Sequence, residues 1–267
     1  MSLQAPNIRL LIIGDELLSG RRQDKHFSTF VEKLNQRGLK LHSAELIGDD
    51  AAQIEATLRR SFATSDIVFC CGGIGATPDD KTRQAAAAAL GVPLSLHPEA
   101  EALIAQRCLE NEQAGQGSAD MSLPENQQRL QMGVFPEGAE IVPNSYNKIP
   151  GFFIHNHTFM PGFPVMAWPM MDWTLDTRYA QYHHLQPSVE NSFLAFNLPE
   201  SRIVPALEQI ERDWPELSAF SLPSVGEKGG QPHIELGVKG EAQACAQAIT
   251  FLRAEVQRLG GSLTANR

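Results

Sequence analysis

The sequence predicts an α/β fold of three layers, with helices on both faces of a mostly parallel sheet, followed by a small C-terminal α+β module. The first observation is a set of continuous apolar, β-branched segments, which are typical of strands buried on both faces: Ile8–Ile13, Leu41–Ile47 and Ile67–Cys71. The second is helical periodicity between these segments. The third is a change of pattern around residues 182–188.

Amphipathic segments follow the first two predicted strands. Apolar residues recur there every three or four positions, as in Phe27, Phe30, Val31 and Leu34 and again in Ile54, Leu58 and Phe62. Right-handed crossovers place the loops that follow parallel strands along one edge of the sheet, where ligands of such folds bind. Because each strand leads into glycine and acidic residues, we expect three such loops to converge on one crevice.

The C-terminal part of the chain predicts a separate module. Its elements are a strand at 193–197, a helix at 202–214, strands at 217–222 and 234–239, and a helix at 241–259. Short elements in this order are typical of a small α+β unit with helices on one face. We therefore predict one domain over residues 1–183 and the module over 190–267, and a hairpin over residues 151–160 within the first domain.

Composition excludes several classes of function. Of 267 residues, 42% are hydrophobic and 20% are charged, which favours a folded core over disorder. The 22 Lys and Arg against 31 Asp and Glu give a net charge of −9, so the chain lacks the excess of cations that holds nucleic acid or an anionic membrane surface. No apolar run approaches a membrane span, and no basic segment precedes the first strand as in a signal peptide. Since the four cysteines form no C-x-x-C pair, we expect reduced thiols and a cytoplasmic protein.

A glycine-rich loop after the third strand is the strongest local feature. Gly72, Gly73 and Gly75 permit a tight turn in which backbone N–H groups can face an anion, and the hydroxyls of Thr77 and Thr82 could assist. The spacing matches neither G-x-G-x-x-G nor G-x-x-x-x-G-K-[ST]. The loop therefore predicts a phosphate site that is neither a dinucleotide fingerprint nor a P-loop.

Acidic residues next to this loop predict a cation. Asp79 and Asp80 stand before the helix at 82–90, and one of them could simply cap that helix. Both together would repel a phosphate unless an oxygen-ligated cation such as Mg²⁺ lay between them. Asp15 and Glu16 follow the first strand; alone they would only oppose the helix dipole, but beside the glycine-rich loop they could complete a cation site.

Other polar clusters have simpler interpretations. Asp49 and Asp50 follow the second strand and are typical of a cap for a helix over residues 51–63. No third metal ligand has a recognisable spacing to the paired histidines. We therefore expect four histidines to lie at the exposed surface or at helix ends: His155, His157, His183 and His184.

Four ordered motifs together resemble the molybdopterin-binding-like domain of CinA-type competence/damage-inducible proteins, which has the MoaB/Mog fold of molybdopterin adenylyltransferases and insertases. They are Gly14-Asp15-Glu16-Leu17-Leu18, the segment from Gly72 to Thr82, Phe135-Pro136-Glu137-Gly138-Ala139 with Ile149-Pro150-Gly151-Phe152, and Pro161-Gly162-Phe163-Pro164. The segment from Phe193 onward is similar to the small accessory module that follows this domain in the family.

The resemblance implies a site for the phosphate of a small nucleotide or pterin, with a divalent cation (Mg²⁺, Mn²⁺ or Co²⁺) and attack at phosphorus. Some members are metal-dependent ADP-ribose pyrophosphatases, so the predicted activity is hydrolysis of an ADP-ribose-like diphosphate. The predicted catalytic acids are Asp15, Glu16, Asp79 and Asp80, of which Glu16 and Asp80 would hold the cation. The predicted ligand-binding residues are Gly14, Gly72, Gly73, Gly75, Thr77, Thr82, Gly162 and Pro164.

Departures from the family pattern keep other functions open. Ala76 replaces a usual proline, and Met166 stands where many members carry an acid, so the chain could instead bind molybdopterin or a nucleotide without catalysis. A molybdopterin adenylyltransferase is the third alternative, which the accessory module disfavours. We expect no deamidase activity, because longer members carry it on a C-terminal amidohydrolase domain, and we expect a homo-oligomer.

Overall fold

The computed structural model describes residues 6–185, 189–226 and 230–263 of the chain. The N-terminal five residues, which belong to the segment predicted to lack a signal peptide, lie outside this range. The chain forms two compact units, one ending at His183 and the other beginning at His184. Each unit has its own hydrophobic core.

The sheet of the first unit is mostly parallel, as predicted. The strands of this unit are β1 (Ile8–Ile13), β2 (Leu41–Ile47), β3 (Ile67–Cys71), β4 (Leu94–Leu96), β5 (Val134–Pro136), β6 (Glu140–Val142), β7 (Gly151–Ile154) and β8 (His157–Met160). Six of them form one sheet in the order β2-β1-β3-β8-β7-β6. Strands β2, β1, β3 and β8 are parallel, whereas β7 pairs antiparallel with β8 in the predicted hairpin and β6 pairs antiparallel with β7. Strands β4 and β5 form a separate antiparallel pair.

Helices cover both faces of this sheet, which confirms the three-layer prediction. They are α1 (Asp15–Leu18), α2 (His26–Asn35), α3 (Ala51–Phe62), α4 (Thr82–Leu90), α5 (Pro98–Gln113), α6 (Pro124–Leu130) and α7 (Pro164–Arg178). Successive side chains of β1 point to opposite faces. Leu10 and Ile12 pack in one core with α2 and α7, while Leu11 and Ile13 pack in the other with α3 and α4.

Two helix ends show how local sequence sets these elements. Asp50 caps α3, because its carboxylate accepts a hydrogen bond from the Gln53 amide at 2.8 Å. At the other end of the layer, α4 stops at Gly91, whose φ of 70° is the left-handed conformation that glycine adopts most easily. The alanine-rich helix α4 therefore begins directly after the glycine-rich loop and ends at a glycine C-cap.

His157 corrects the expectation that the paired histidines are exposed. It is fully buried in β8, where Nε2 lies 2.8 Å from the Ser61 hydroxyl and Nδ1 lies 2.7 Å from the His155 carbonyl oxygen. His155 has φ of 48° and belongs to the turn before β8, so the two rings do not share a strand face. Burial lowers the pKa of His157 from 6.5 to about 4.

This burial predicts a loss of stability in mild acid. Because the unfolded chain takes up the proton at a higher pH than the folded one, the contribution of His157 is complete above pH 6.5 and is lost as the pH falls toward 4. The shift corresponds to about 3 kcal/mol of unfolding free energy. Urea unfolding at several pH values should show this loss in the wild type and a reduced loss in His157→Gln. The same replacement of the exposed His42 should leave the pH profile unchanged; equal profiles for all three proteins would contradict the prediction.

The second unit is the predicted small α+β module. Its strands are β9 (Val189–Phe196), β10 (Ser218–Ser224), β11 (His233–Gly240) and β12 (Ser262–Leu263), and its helices are α8 (Glu200–Asp213) and α9 (Ala242–Arg258). The strands form an antiparallel sheet in the order β10-β11-β9-β12. Apolar residues of both helices share one core with the sheet, among them Ile203, Leu252 and Phe193.

Two further findings bear on the expectations from composition. All four cysteines, Cys70, Cys71, Cys108 and Cys245, are buried and form no disulfide. Among the described residues, we find no helix that combines the length and the apolar character needed to cross a membrane.

Candidate functional site

The loops that follow the parallel strands lie side by side at one edge of the sheet. Ile13 pairs with Ile47 at the ends of β1 and β2. Beyond the strands, the Gly14 amide donates to the Ile47 carbonyl at 3.0 Å, and the Gly72 amide donates to the Met160 carbonyl at 2.9 Å. The predicted convergence of the loops after β1, β2 and β3 is therefore observed, and the loop after β8 joins them.

Two positions of the glycine-rich loop, residues 72–81, accept only glycine. Gly72 has φ of 111° and Gly73 has φ of 69°, a region that L side chains rarely adopt. A Cβ atom at Gly72 would overlap the backbone carbonyl oxygen of Ile13, and one at Gly73 would overlap the hydroxyl oxygen of Thr82. The loop thus approaches both β1 and the start of α4 more closely than any side chain allows.

The first two residues of α4 hold three carbonyl groups of this loop. The Thr82 hydroxyl donates to the Gly72 carbonyl, and the Thr82 amide donates to the Gly73 carbonyl, both at 3.0 Å. The Arg83 guanidinium donates through Nη2 to the Gly75 carbonyl at 2.6 Å. These contacts fix the orientation of each of the three peptide groups.

The orientation of these peptides leaves backbone donors facing away from α4. In a trans peptide the C=O and the following N–H point in opposite directions. The N–H groups that follow the three fixed carbonyls belong to Gly73, Ile74 and Ala76. Within the described part of the chain, none of these three amides donates a hydrogen bond. A set of unpaired amides on one loop is the arrangement that binds an anion.

Thr82 has a different role from the predicted one. Its side chain is 0% exposed and its hydroxyl is already bonded to the Gly72 carbonyl, so the expectation that it touches a ligand is wrong. Threonine is needed at this position because its hydroxyl holds the Gly72 carbonyl and thereby fixes the conformation of the loop. The sequence placed Thr82 beside the glycines but gave no sign that the hydroxyl points into the core.

Asp80 and Thr77 close the other end of the loop. The amide and the hydroxyl of Thr77 both donate to Oδ2 of Asp80, at 2.9 and 2.5 Å. Residue Lys81 occupies the cap position of α4 and makes no capping bond with its side chain, so capping by an aspartate is not the explanation for Asp79 and Asp80. Thr77 lies beside Asp79 as well, and its polar side chain, together with the charge of Lys81, lowers the pKa of this exposed carboxyl.

Asp49 is a site residue that the sequence interpretation assigned to helix capping. Asp50 is the actual cap, whereas Asp49 accepts a hydrogen bond from the Asp15 amide at 2.9 Å and its own amide donates to the Asp15 carboxylate at 3.2 Å. Burial, and then the charges of Asp15, Glu16 and Asp79, raise the pKa of Asp49. Acids from the loops after β1, β2 and β3 therefore interact electrostatically at this edge of the sheet. The sequence signal for a second role was that two adjacent acids follow β2, although one acid is enough to cap a helix.

A cation at this edge could be shared between the acids and the phosphate of a substrate. In the ranges 6–185, 189–226 and 230–263, no group of three or more His, Cys, Asp or Glu is arranged to hold a metal ion. Mg²⁺ is commonly held by only one or two carboxylates together with substrate phosphates. Glu16 acts electrostatically on Asp49, and Asp80 accepts hydrogen bonds from Thr77. The assignment of Glu16 and Asp80 as joint metal ligands stays a prediction.

A cleft of about 280 Å³, which we call the Phe163 cleft, adjoins the glycine-rich loop. It lies between the segment from α1 to α2 and the start of α7, and its lining includes three predicted site residues, Glu16, Gly162 and Pro164. A Cβ atom at Gly162 would stand 3.5 Å from the Cα atom of Gly72, so the cleft and the loop are neighbours. Phe163 lines the cleft and is 53% exposed, which leaves an aromatic face available to a ring.

His26 also lines this cleft and was missed by sequence reasoning. It is 4% exposed, and its Nε2 lies 3.0 Å from the Gly162 carbonyl oxygen. Because a carbonyl only accepts, this contact places the proton on Nε2, so Nδ1 of the neutral ring is an acceptor. Nδ1 has no partner among the described residues. His26 opens α2 without any motif around it, so the sequence carried no signal of its position.

Fold and site together define a three-layer α/β protein that brings a glycine-rich loop and acidic loops to one edge of its sheet. A profile of the family described as "Probable molybdopterin binding domain" matches residues 9–180, and the chain belongs to this family. The chain is 30% identical over 253 residues to a CinA-like protein of Anaeromyxobacter sp., a match that covers 88% of this chain and 59% of that relative.

The chain is also similar to two other known proteins. The chain is 27% identical to a protein of Aeropyrum pernix over 97% of both lengths. The crystal structure of the protein CinA, of unknown function, from Thermoplasma acidophilum superposes with a TM-score of 0.54 at 25% identity, covering 64% of this chain and 97% of that one. The resemblance to CinA-type proteins is thereby confirmed. The chain spans 59% of the length of the Anaeromyxobacter relative.

Proposed function

We propose that the first unit binds the diphosphate of a small nucleotide or pterin and hydrolyses it with the help of a divalent cation. The observation that carries this proposal is that the amides of Gly73, Ile74 and Ala76 donate no hydrogen bond within the described ranges, while the carbonyls that precede them are held by the start of α4. Their alignment suits phosphate oxygens, and the neighbouring Phe163 cleft has room for the ring of such a ligand.

The chain's own residues would divide the work as follows. The three amides hold one phosphate, and the acids Asp15, Glu16, Asp49 and Asp79 face the diphosphate from the neighbouring loops. A divalent cation bound there would neutralise phosphate charge and favour attack by water. Asp15 is exposed, and one of its carboxylate oxygens accepts a hydrogen bond from the Asp49 amide. The other oxygen has no hydrogen-bond partner among the residues that the structure describes, so it would be available to orient a water molecule.

The proposal predicts metal-dependent release of AMP from ADP-ribose. With Mg²⁺, Mn²⁺ or Co²⁺ the full chain should produce AMP, measured by chromatography, and a chelator should stop the reaction. Asp15→Asn should lower the rate by about a hundredfold or more, the range typical of a lost general base. Asp80→Ala should also lose activity, because Thr77 loses its partner and the loop opens.

Asp50→Asn is the matched control for these variants. Asparagine caps a helix as well as aspartate does, so this variant removes a neighbouring acid at little cost to α3 and should keep full activity. Absence of AMP with all three metals would overturn the catalytic part of the proposal. An unchanged rate in Asp15→Asn would overturn the role of that residue.

A second candidate is a binding protein for molybdopterin or a nucleotide without catalysis. It is favoured by Met166, whose sulfur contacts the Asn147 amide nitrogen at 3.6 Å and offers no anionic ligand where many family members carry an acid. A ligand that remains through purification, or calorimetric binding of ADP-ribose without product, would support it. Adenylate transfer onto molybdopterin stays an alternative for the same loop, and the expected homo-oligomer stays a prediction that light scattering can check.

A further inference from the structure

Arg83 is a buried cation at the start of α4. The residue is 4% exposed and makes no ion pair within 4.0 Å among the described residues. Its Nη2 donates to the Gly75 carbonyl, whereas its Nη1 is buried and has no hydrogen-bond partner in that part of the chain. Burial lowers the pKa of Arg83, and the nearby charge of Asp80 partly offsets this. A buried charge of this kind is costly unless something compensates it.

The position of this charge matches the unpaired amides. Arg83 is bonded to the carbonyl of the 75–76 peptide, and the N–H of the same peptide, on Ala76, is one of the three that face outward. The guanidinium thus contacts the carbonyl of this peptide and polarises it. The N–H of the same peptide points away from Arg83, toward the position inferred for the phosphate. Charge-assisted hydrogen bonds of this type are about twice as strong as neutral ones.

Several acids lie on the neighbouring loops of the site. Asp15, Glu16 and Asp79 all act on Asp49 from the neighbouring loops. A phosphate that approaches this edge meets repulsion from these acids, whereas Arg83 is a buried cation that the chain holds against the loop. The two sides therefore suit two different tasks, binding of phosphate at the loop and binding of a cation at the acids.

We propose that Arg83 supplies the positive charge of the phosphate site, so that the glycine-rich loop binds a phosphate or diphosphate without a divalent cation. Arg83 is a positioning residue, since it acts through the 75–76 peptide and does not touch the ligand. The inference rests on the proposed function insofar as the phosphate lies at these three amides. It separates binding, which the loop accomplishes alone, from hydrolysis, which needs the cation.

The first test uses the wild-type full chain. Titration calorimetry with ADP-ribose and with inorganic pyrophosphate, each in excess chelator and then in Mg²⁺, should show binding under both conditions. Binding in chelator should weaken as salt rises, because a charge interaction is screened. Binding only in Mg²⁺ would overturn the inference and leave the proposed function standing. Absence of binding under both conditions would overturn the proposed function as well.

The second test separates charge from hydrogen bonding at residue 83. Arg83→Gln keeps a donor for the Gly75 carbonyl but removes the charge, and it should weaken binding in chelator by about tenfold or more and reduce the salt dependence. Arg83→Lys keeps the charge and should lose only about threefold. The matched control is Arg59→Gln on α3, an exposed arginine paired with Glu55, which should bind as the wild type does. Equal binding by Arg83→Gln and the wild type, or equal losses in the Gln and Lys variants with unchanged melting temperatures, would overturn the inference.

Discussion

Replacing Gly72 by alanine is expected to lower the unfolding free energy of the first unit by about 3 kcal/mol and to abolish phosphate binding. The φ of 111° at Gly72 is strained for any L side chain, which costs about 1–2 kcal/mol. The new methyl group would also overlap the carbonyl oxygen of Ile13, so β1 and the loop after β3 must separate, which costs about 1–3 kcal/mol more. The amides that follow Gly72 would lose their alignment at the same time.

Gly91→Ala is the control that separates the cost of the backbone conformation from the cost of the steric overlap. Gly91 also has a positive φ, of 70°, but a Cβ atom there meets nothing within 4 Å. This variant should therefore cost only about 1 kcal/mol and keep ligand binding. Unfolding in urea, monitored through amide hydrogen exchange in β1 and β3, measures the unfolding free energy of the first unit separately. Equal losses in the two variants would show that close approach to β1 does not constrain the loop.

Replacing Thr82 by valine should lower the unfolding free energy by about 2 kcal/mol and weaken ligand binding. Valine has the shape of threonine but cannot donate to the Gly72 carbonyl, and an unpaired buried carbonyl costs about 1–3 kcal/mol. We also expect weaker binding of ADP-ribose, because the peptide that presents the Gly73 amide is no longer fixed. Calorimetry and urea unfolding measure the two effects on the same protein.

Thr174→Val is a close control for this variant. Thr174 is also 0% exposed, but its hydroxyl has no hydrogen-bond partner among the described residues. Removing an unpaired buried hydroxyl should be neutral or stabilising, and binding should not change. If both valine variants behaved alike, the Thr82 hydroxyl would not be what holds the loop.

The site illustrates how far sequence patterns reach. Glycines after β3 and acids after β1 could be assigned to one edge, because parallel strands deliver their following loops to the same side. Asp49 could not be separated from Asp50, because both follow β2 and only the path of the chain decides which carboxylate caps α3 and which turns toward Asp15. The direction of a side chain at a loop depends on backbone angles that periodicity does not encode.

The sequence by itself determined the three-layer class, the mostly parallel sheet and the accessory module, because the apolar periods of strands and helices are local properties. Only the tertiary structure decided what the polar residues do. It showed that Thr82 and Arg83 donate hydrogen bonds to carbonyls of the loop, and that His157 is buried. The physical reason is that the free energy of a hydrogen bond or a charge depends on its partner and on its burial. Both are set by residues distant in the chain, such as Ser61 for His157 and Gly162 for His26.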